Sequence, residues 1–158
     1  GVAEQLFHNV KVPVLATRGP CDRGYRRILV PVDFSPVAAV SMELASEMAR
    51  ETPGATMELV HVATHPPSGH DLQKLRAGMR ATLEGDLRDF ANQVGLTDGY
   101  SVRVEFGAVQ QVVPSVADGD GFDLVCMASR SSGSFLGSTV DAVLRNTRLP
   151  MLVIYVPS

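Results

Sequence analysis

The sequence predicts a single α/β domain in which helices cover both faces of a parallel β-sheet. Short, almost wholly apolar runs alternate along the chain with longer stretches whose apolar residues recur every three or four positions. The short runs are typical of strands buried on both faces, and the longer stretches are typical of amphipathic helices. Five strands alternating with four helices imply a parallel sheet, and 158 residues with 45% hydrophobic content suffice for one core.

The first strand and the first helix open this series. Residues 27–32 form a short apolar run, and we expect a helix to follow it. Ser35 is a residue type that caps helices, and Pro36 suits a first helical turn, where its missing N–H has no cost. We expect the helix to end at Pro53 and Gly54. Its predicted apolar face consists of Val40, Leu44, Ala45 and Met48.

The remaining elements continue the alternation. A second strand is predicted at 56–62, and a longer helix follows a loop. We interpret the apolar stripe of that helix as core packing, through Leu72, Leu75, Met79, Leu83, Leu87, Phe90 and Val94. The later elements are predicted as a strand at 100–106, a helix at 109–117, a strand at 122–128, a serine- and glycine-rich loop at 129–137, a helix at 138–146 and a strand at 150–156.

Charge and hydropathy argue against two classes of partner. The net charge is −3 and no run of Lys or Arg exceeds two residues, so we expect no nucleic acid partner. The longest apolar stretches fall far short of the roughly 20 residues that a membrane span needs, so we expect no membrane partner. The chain opens on glycine without a charged-then-apolar leader, which indicates a fragment boundary and favours a cytoplasmic location.

The spacing of cysteine and histidine indicates no metal site. Cys21 and Cys126 lie far apart, and Cys126 falls in an apolar run that is typical of a core residue. His61, His65 and His70 fall close together, but no cysteine accompanies them and no pair at i and i+4 lies on a predicted helix. We interpret these histidines as loop or core residues.

The first 18 residues repeat the end of the chain. Residues 1–18 align without a gap on residues 138–155. The matched pairs include Glu4 with Asp141, Asn9 with Asn146, Pro13 with Pro150 and Leu15 with Leu152. We therefore interpret 1–18 as the last helix and strand of a preceding copy, 19–25 as a linker, and 26–158 as one complete domain.

Four segments of the complete copy resemble a known family. They are ILVPVDFS at 28–35, ELVHV at 58–62, FDLVCMAS at 122–129 and GSTVDAVLRNTRLPMLVI at 137–154. In this order and at these separations they resemble the universal stress protein family over about residues 26–156. The resemblance implies a Rossmann-like sheet of five parallel strands in the order 3-2-1-4-5, similar to adenine nucleotide alpha hydrolases. It also implies dimers that pair through their last strands and, in many members, an ATP at the carboxyl edge of the sheet.

General rules of α/β sheets favour a ligand at the same edge. Ligands bind outside the carboxyl ends of the strands where the strand order reverses, here between the first and fourth strands. Asp33 follows the first strand and can accept hydrogen bonds from a ribose or an adenine; alternatively, it only caps its own turn. Gly137, Ser138 and Thr139 open the last helix, whose free N–H groups favour an anion, unless Ser138 is a plain helix cap. The candidate contacts are Pro31, Val32, Asp33, Val62, Met127, Ala128, Arg130, Ser131, Gly137, Ser138 and Thr139.

The loop that should hold phosphate departs from the family pattern. Family members that bind ATP resemble one another in a Gly-x2-Gly-x9-Gly-Ser/Thr loop. Here Ala128 and Ser131 stand where the first two glycines are expected, and Ala128 lies nine positions before Gly137 instead of thirteen. Added side chains hinder close approach of the backbone to phosphate, and a shorter loop cannot follow the same path. Arg130, interpreted as a loop residue, can supply a charge-assisted contact instead, or is simply solvated.

Two functions from different classes follow. The first is a regulatory domain that binds an adenine nucleotide, ATP, ADP or AMP, with or without Mg²⁺, and hydrolyses it slowly at most because no positioned base or metal pair is apparent. The second is a degenerate copy that serves as a dimerisation or partner-binding module with no ligand of its own. In either case we expect self-association, in which the last strand at 150–156 pairs with the strand at 12–17 or with a second subunit.

Overall fold

A six-stranded sheet runs through the protein and carries helices on both faces. The computed structural model describes residues 13–17, 24–64, 69–131 and 138–157. The strands are β1 (Val14–Ala16), β2 (Arg27–Pro31), β3 (Thr56–Ala63), β4 (Tyr100–Phe106), β5 (Leu124–Ser131) and β6 (Met151–Pro157). The helices of these ranges are α1 (Pro36–Glu51), α2 (Leu72–Val94), α3 (Val109–Gly119) and α4 (Ser138–Asn146).

The strand order is β1-β6-β5-β2-β3-β4. Strands β2 to β6 are parallel and lie in the order 3-2-1-4-5 when they are counted from β2, which confirms the α/β fold. The expected number of five strands is wrong, because β1 pairs antiparallel with β6 and adds a sixth. The added strand covers an edge of β6 that would otherwise present unpaired backbone groups.

The ladder between β1 and β6 is centred on two positions that the internal repeat makes equivalent. Leu15 lies opposite Leu152, its own counterpart in the repeat, and Val14 lies opposite Val153. Such a register is that of a local two-fold axis beside the Leu15–Leu152 pair. The helix predicted within residues 1–12 and most of the linker predicted at 19–25 lie outside the described residues.

Helix α1 begins as the sequence predicts but packs through a different face. The hydroxyl of Ser35 accepts from the backbone N–H of Ala38 at 3.3 Å, and Pro36 occupies the first turn. Of the predicted face only Ala45 is buried, because the helix turns Met42 and several small residues toward the sheet and leaves the other large residues half-buried at its flank. The buried residues are Ala38, Ser41, Met42, Ala45 and Ser46.

Helix α2 also departs from its predicted packing. Only Leu87 and Ala91 are buried, whereas Leu75 is 49% exposed, so the predicted stripe is not a continuous core face. Arg76 and Arg80 instead turn toward β4, with their guanidinium carbons 5.3 and 5.2 Å from the centre of the Phe106 ring. Their aliphatic stems cover the sheet where apolar residues were expected.

The core consists of two layers, one on each face of the sheet. Successive strand residues point to opposite faces, so Leu29 packs under α3 and α4 while Ile28 packs under α1 and α2. Cys126 is fully buried on the α1 side, as predicted for a core residue, and burial raises the pKa of its thiol to about 12. Within the described ranges, no helix has the length and apolar character needed to cross a membrane.

Candidate functional site

A cleft of about 470 Å³ opens at the carboxyl ends of β2 and β5. The strand order reverses between these two strands. From β2 the chain continues outward through β3 and β4 on one side, whereas β5 and β6 lie on the other side. Nine of the predicted site residues line the cleft: Pro31, Val32, Asp33, Val62, Met127, Ala128, Arg130, Ser138 and Thr139. Gly137 and the side chain of Ser131 lie outside the described part of the chain.

The turn between β2 and α1 is held by the carboxylate of Asp33. Its Oδ1 accepts from the backbone N–H of Ser35 at 3.0 Å and from the hydroxyl of Ser35 at 2.5 Å. The side chain is nevertheless exposed and lines the cleft, and no described residue hydrogen-bonds Oδ2. The two interpretations of Asp33 are therefore compatible, because one oxygen holds the turn and the other is available to a ligand.

Phe34 adopts an unusual backbone conformation at this turn. Its φ is +63°, in the left-handed region that bulky residues seldom occupy. Contacts on the α2 side hold it there: its ring centre is 4.7 Å from that of His61 and 5.7 Å from that of Phe90. The positive φ turns the chain sharply between Asp33 and Ser35, which places the Asp33 carboxylate beside the Ser35 donors.

His61 joins the turn to β3. Its Nδ1 lies 2.8 Å from the carbonyl oxygen of Val32, and because a carbonyl only accepts, Nδ1 carries the proton. The ring therefore has a fixed orientation between Val32 and Phe34, and His61 lines the cleft. Sequence reasoning rejected this histidine as a metal ligand and placed it in the family-like segment ELVHV, but did not include it among the candidate contacts. The signal that could have found it is its position on the strand beside the Asp33 turn.

The end of β5 differs from the sequence-based interpretation. Arg130 was expected in a loop that starts after Ala128, but β5 continues to Ser131. The strand is longer because β6 continues beside it, and this ladder pairs Ala128 with Ile154 and Arg130 with Val156. Arg130 is exposed and lines the cleft. Because it lies in a strand, its backbone is held by the sheet, which would not be so in a loop.

Helix α4 starts at the same cleft. Ser138 and Thr139 form its first turn, and both are exposed and line the cleft. The first N–H groups of a helix have no partner within the helix, and the aligned peptide dipoles make this end positive. With Arg130 across the cleft, this region can attract a negatively charged group.

The rest of the wall is largely apolar and comes from elements that are distant in sequence. Val109 is contributed by α3, and Val37 and Ala38 are contributed by α1. Ser41, buried on α1, also lines the cleft and donates to its own helix at the carbonyl of Ala38. Strand-end reasoning missed these residues because only helix packing brings them to the sheet edge. Among the described residues, no group of three metal-ligating side chains is present.

The model of the universal stress protein family matches residues 24–155 of the chain. No curated protein matches it. Among solved structures, the universal stress protein UspA from Lactobacillus plantarum is 21% identical with a TM-score of 0.65, and the match covers 84% of this chain and 99% of that one. A universal stress protein in complex with cAMP is 20% identical with a TM-score of 0.60, and the match covers 84% and 98%.

A longer relative has the same fold over part of its length. A universal stress protein from Archaeoglobus fulgidus is 22% identical with a TM-score of 0.68. The match covers 98% of this chain and 53% of that one, so this chain spans about half of its length. At these identities the solved structures show that the fold is shared.

Proposed function

The chain belongs to the universal stress protein family, and we propose that it is a regulatory domain that binds an adenine nucleotide in the cleft between β2 and β5. The observation that carries the proposal is the convergence of three kinds of group on one cleft. An exposed carboxylate, an apolar wall and a positive helix end with an arginine suit a ribose, a base and a phosphate respectively.

The base end of the cleft consists of the turn at 31–34 with His61 and Val62. Val32 and Val62 offer apolar surface to a purine ring, and the free oxygen of Asp33 can accept from a ribose hydroxyl or an adenine amino group. Since both Val32 and Val62 are buried core residues, this surface is fixed before a ligand arrives.

The phosphate end consists of Arg130, Ser138 and Thr139. The N–H groups of the first turn of α4 and the guanidinium of Arg130 are donors for phosphate oxygens. Alanine and serine at positions 128 and 131 replace the glycines of the family's ATP-binding pattern. We therefore propose that the nucleotide is held mainly at its base and ribose, so that the number of phosphates has a small effect on affinity.

A relative supports this ligand class. The neighbour solved in complex with cAMP carries an adenine nucleotide with a single phosphate. A ligand of that kind would need the base end of the cleft and only a short phosphate end, which fits the residues of this chain.

The proposed role is binding without rapid chemistry. The described cleft residues include no serine or cysteine paired with a histidine, and the Ser35 hydroxyl is engaged in the turn with Asp33, so we propose that the domain is no enzyme, or at most a slow ATPase. Mg²⁺ would accompany ATP as the counterion of its phosphates. The proposed location of the protein is the cytoplasm. Nucleotide occupancy would then change how the domain associates with itself or with a partner.

Titration calorimetry with adenosine, AMP, ADP and ATP, each with and without Mg²⁺, tests the proposal. Ala128→Trp should abolish binding, because the new side chain fills the cleft, whereas the matched change Ala77→Trp on the exposed face of α2 should leave it unchanged. Circular dichroism checks that both variants fold. Absence of binding by the wild-type protein up to millimolar nucleotide would contradict the proposal.

A second function is favoured by the β1–β6 ladder. Because it pairs Leu15 with its repeat counterpart Leu152, we propose that residues 1–18 are the end of a preceding copy and that this edge is a dimerisation surface. The twofold length of the Archaeoglobus fulgidus relative supports a tandem arrangement. Deleting residues 1–18 should expose β6 and raise the oligomeric state in sedimentation. If the shortened chain sediments with the same number of subunits as the full chain, the result would count against this second function.

A further inference from the structure

No described residue covers a groove on the outer face of α2. Lys74, Leu75, Gly78, Met79 and Thr82 line it, at the spacing of three and four that defines one side of a helix. Leu75 is 49% exposed. In the described ranges, Leu15 is the other large apolar side chain that is exposed. The groove therefore offers apolar surface that the fold of one chain does not bury.

One glycine lines this groove, and a second lies on the same side of the helix. Gly78 and Gly85 lie seven residues apart on the same side of α2, and a Cβ at either position would meet nothing within 4 Å. Glycine inside a helix is destabilising relative to alanine. Since no neighbour within the described chain requires the missing side chains, their effect is to let another backbone approach the helix closely.

The charges of α2 run against its own dipole. Residues 72–82 carry three basic side chains and no acidic one, whereas 83–94 carry three acidic side chains and one basic one. No acidic residue lies in the first turn, and no basic residue lies in the last. Helices are stabilised by the opposite arrangement, so apart from Asp71 at the N-cap the charges at the two ends of α2 do not complement its dipole.

We propose that the groove is a self-association surface on which α2 of a second copy lies antiparallel. This arrangement brings the basic half of each helix against the acidic half of the other, so a single surface is complementary to itself. When Gly78 lies opposite Gly85 of the second copy, Lys74 lies opposite Asp89, because both pairs are centred on the same point beside Thr82. Lys74 and Asp89 are exposed and have no ion-pair partner among the described residues.

The expected association is weak and reversible. One pair of helices buries less area than a standard stable interface, and exposed ion pairs contribute little each. The surface is on the side of the sheet edge formed by β4, whereas β1 and β6 form the opposite edge. Self-association through α2 is therefore independent of the strand ladder and of the nucleotide cleft.

Sedimentation equilibrium of the full chain, with Gly78→Arg as the blocking variant, tests the groove. The substitution should keep α2 helical, because the position is open and most residues favour helix more than glycine does. We expect it to weaken self-association at least about ten-fold by blocking the approach of the second helix. Ala77→Arg adds the same charge on the adjacent exposed side and should leave association unchanged.

Mixing two charge-reversed chains tests the occupant. Lys74→Glu alone should weaken association at least about three-fold, and so should Asp89→Lys alone, because like charges then face each other in both symmetry-related Lys74–Asp89 pairs. An equimolar mixture of these chains should associate as well as the wild-type protein, since each reversed group finds an opposite charge on the other chain. Neither a different partner nor the β1–β6 edge would produce this rescue.

Three results would overturn the proposal. In the first, Gly78→Arg leaves the self-association of the wild-type chain unchanged. In the second, Gly78→Arg and Ala77→Arg weaken association equally. In the third, the mixture of charge-reversed chains associates no better than either chain alone.

Discussion

The two ends of the cleft are built to different degrees. At the base end, Asp33 and Ser35 share two hydrogen bonds, and the His61 ring is fixed between Val32 and Phe34. At the phosphate end, the described groups are exposed donors on Arg130 and on the first turn of α4. In the proposed complex, recognition of the base and ribose is therefore preorganised, whereas recognition of phosphate depends on side chains that a ligand must order.

The largest effect on this comparison should come from Asp33→Ala. It removes the carboxylate proposed to accept from the ligand and also the acceptor that holds the turn. We expect affinity for AMP to fall about 10- to 100-fold, the range for a hydrogen bond to a charged group. Asp33→Asn keeps an oxygen for Ser35 and should lose less affinity. Calorimetry measures both, and an unchanged dissociation constant in Asp33→Ala would show that the base end is not as proposed.

The next effect should come from His61→Ala. The change removes the donor to Val32 and the ring that packs on Phe34, so the strained turn is no longer held from β3. We expect about ten-fold weaker AMP binding and a loss of about 1–3 kcal/mol in unfolding free energy. His61→Phe keeps ring packing and loses only the hydrogen bond, so it should fall between. Equal affinity and stability in all three proteins would contradict a positioning role.

The floor that the two ends share should respond to alkaline pH. Cys126 is buried with its Sγ 3.5 Å from the carbonyl oxygen of Ser41, a residue that lines the cleft, and burial raises the pKa of its thiol to about 12. A raised pKa stabilises the folded state below the thiol's ordinary pKa of about 8.5, and this contribution declines as pH rises from there toward 12.

Denaturant unfolding at pH 8 and pH 10 measures this contribution. The wild-type protein should lose about 1–2 kcal/mol more than Cys126→Ala between the two pH values, because the unfolded thiol ionises and the buried one does not. The alanine variant controls for every other group that titrates in this range. Identical losses in both proteins would indicate that the thiol ionises as readily in the fold as outside it.

The smallest effect should come from Arg130→Ala. Its guanidinium is exposed, so solvent screening limits its contribution to phosphate binding. We expect affinity for ATP to fall about two- to five-fold while affinity for adenosine is unchanged. Arg148→Ala, at an exposed site outside the cleft, should leave both affinities unchanged. A loss for ATP larger than that of Asp33→Ala would reverse the comparison between the two ends.

Sequence patterns predicted those parts of the fold that depend on local periodicity. The strand at Tyr100–Phe106 and the helix at Ser138–Asn146 have the predicted bounds. The rule that ligands bind outside the carboxyl ends of parallel strands also predicted that Asp33 and Ser138 line one cleft, since both positions follow from the order of elements alone.

The errors lie where distant parts of the chain decide the outcome. The extension of β5 to Arg130 depends on the length of β6, which no local pattern of serines reveals. The packing face of α2 was misjudged because Arg76 and Arg80 lie against the Phe106 ring of β4 while counting as polar in any hydropathy pattern. The role of His61 depends on a carbonyl of the neighbouring strand, at Val32.

The position of β1 also sets the order in which the sheet can form. As the chain leaves the ribosome, the strands from β2 to β4 can pair as soon as they are made, because they are neighbours both in sequence and in the sheet. The partner of β1 is β6, which follows all the other described strands in the sequence. Strand β1 therefore cannot pair until β6 has been made, and the long segment between the two strands adds to the entropic cost of closing this ladder.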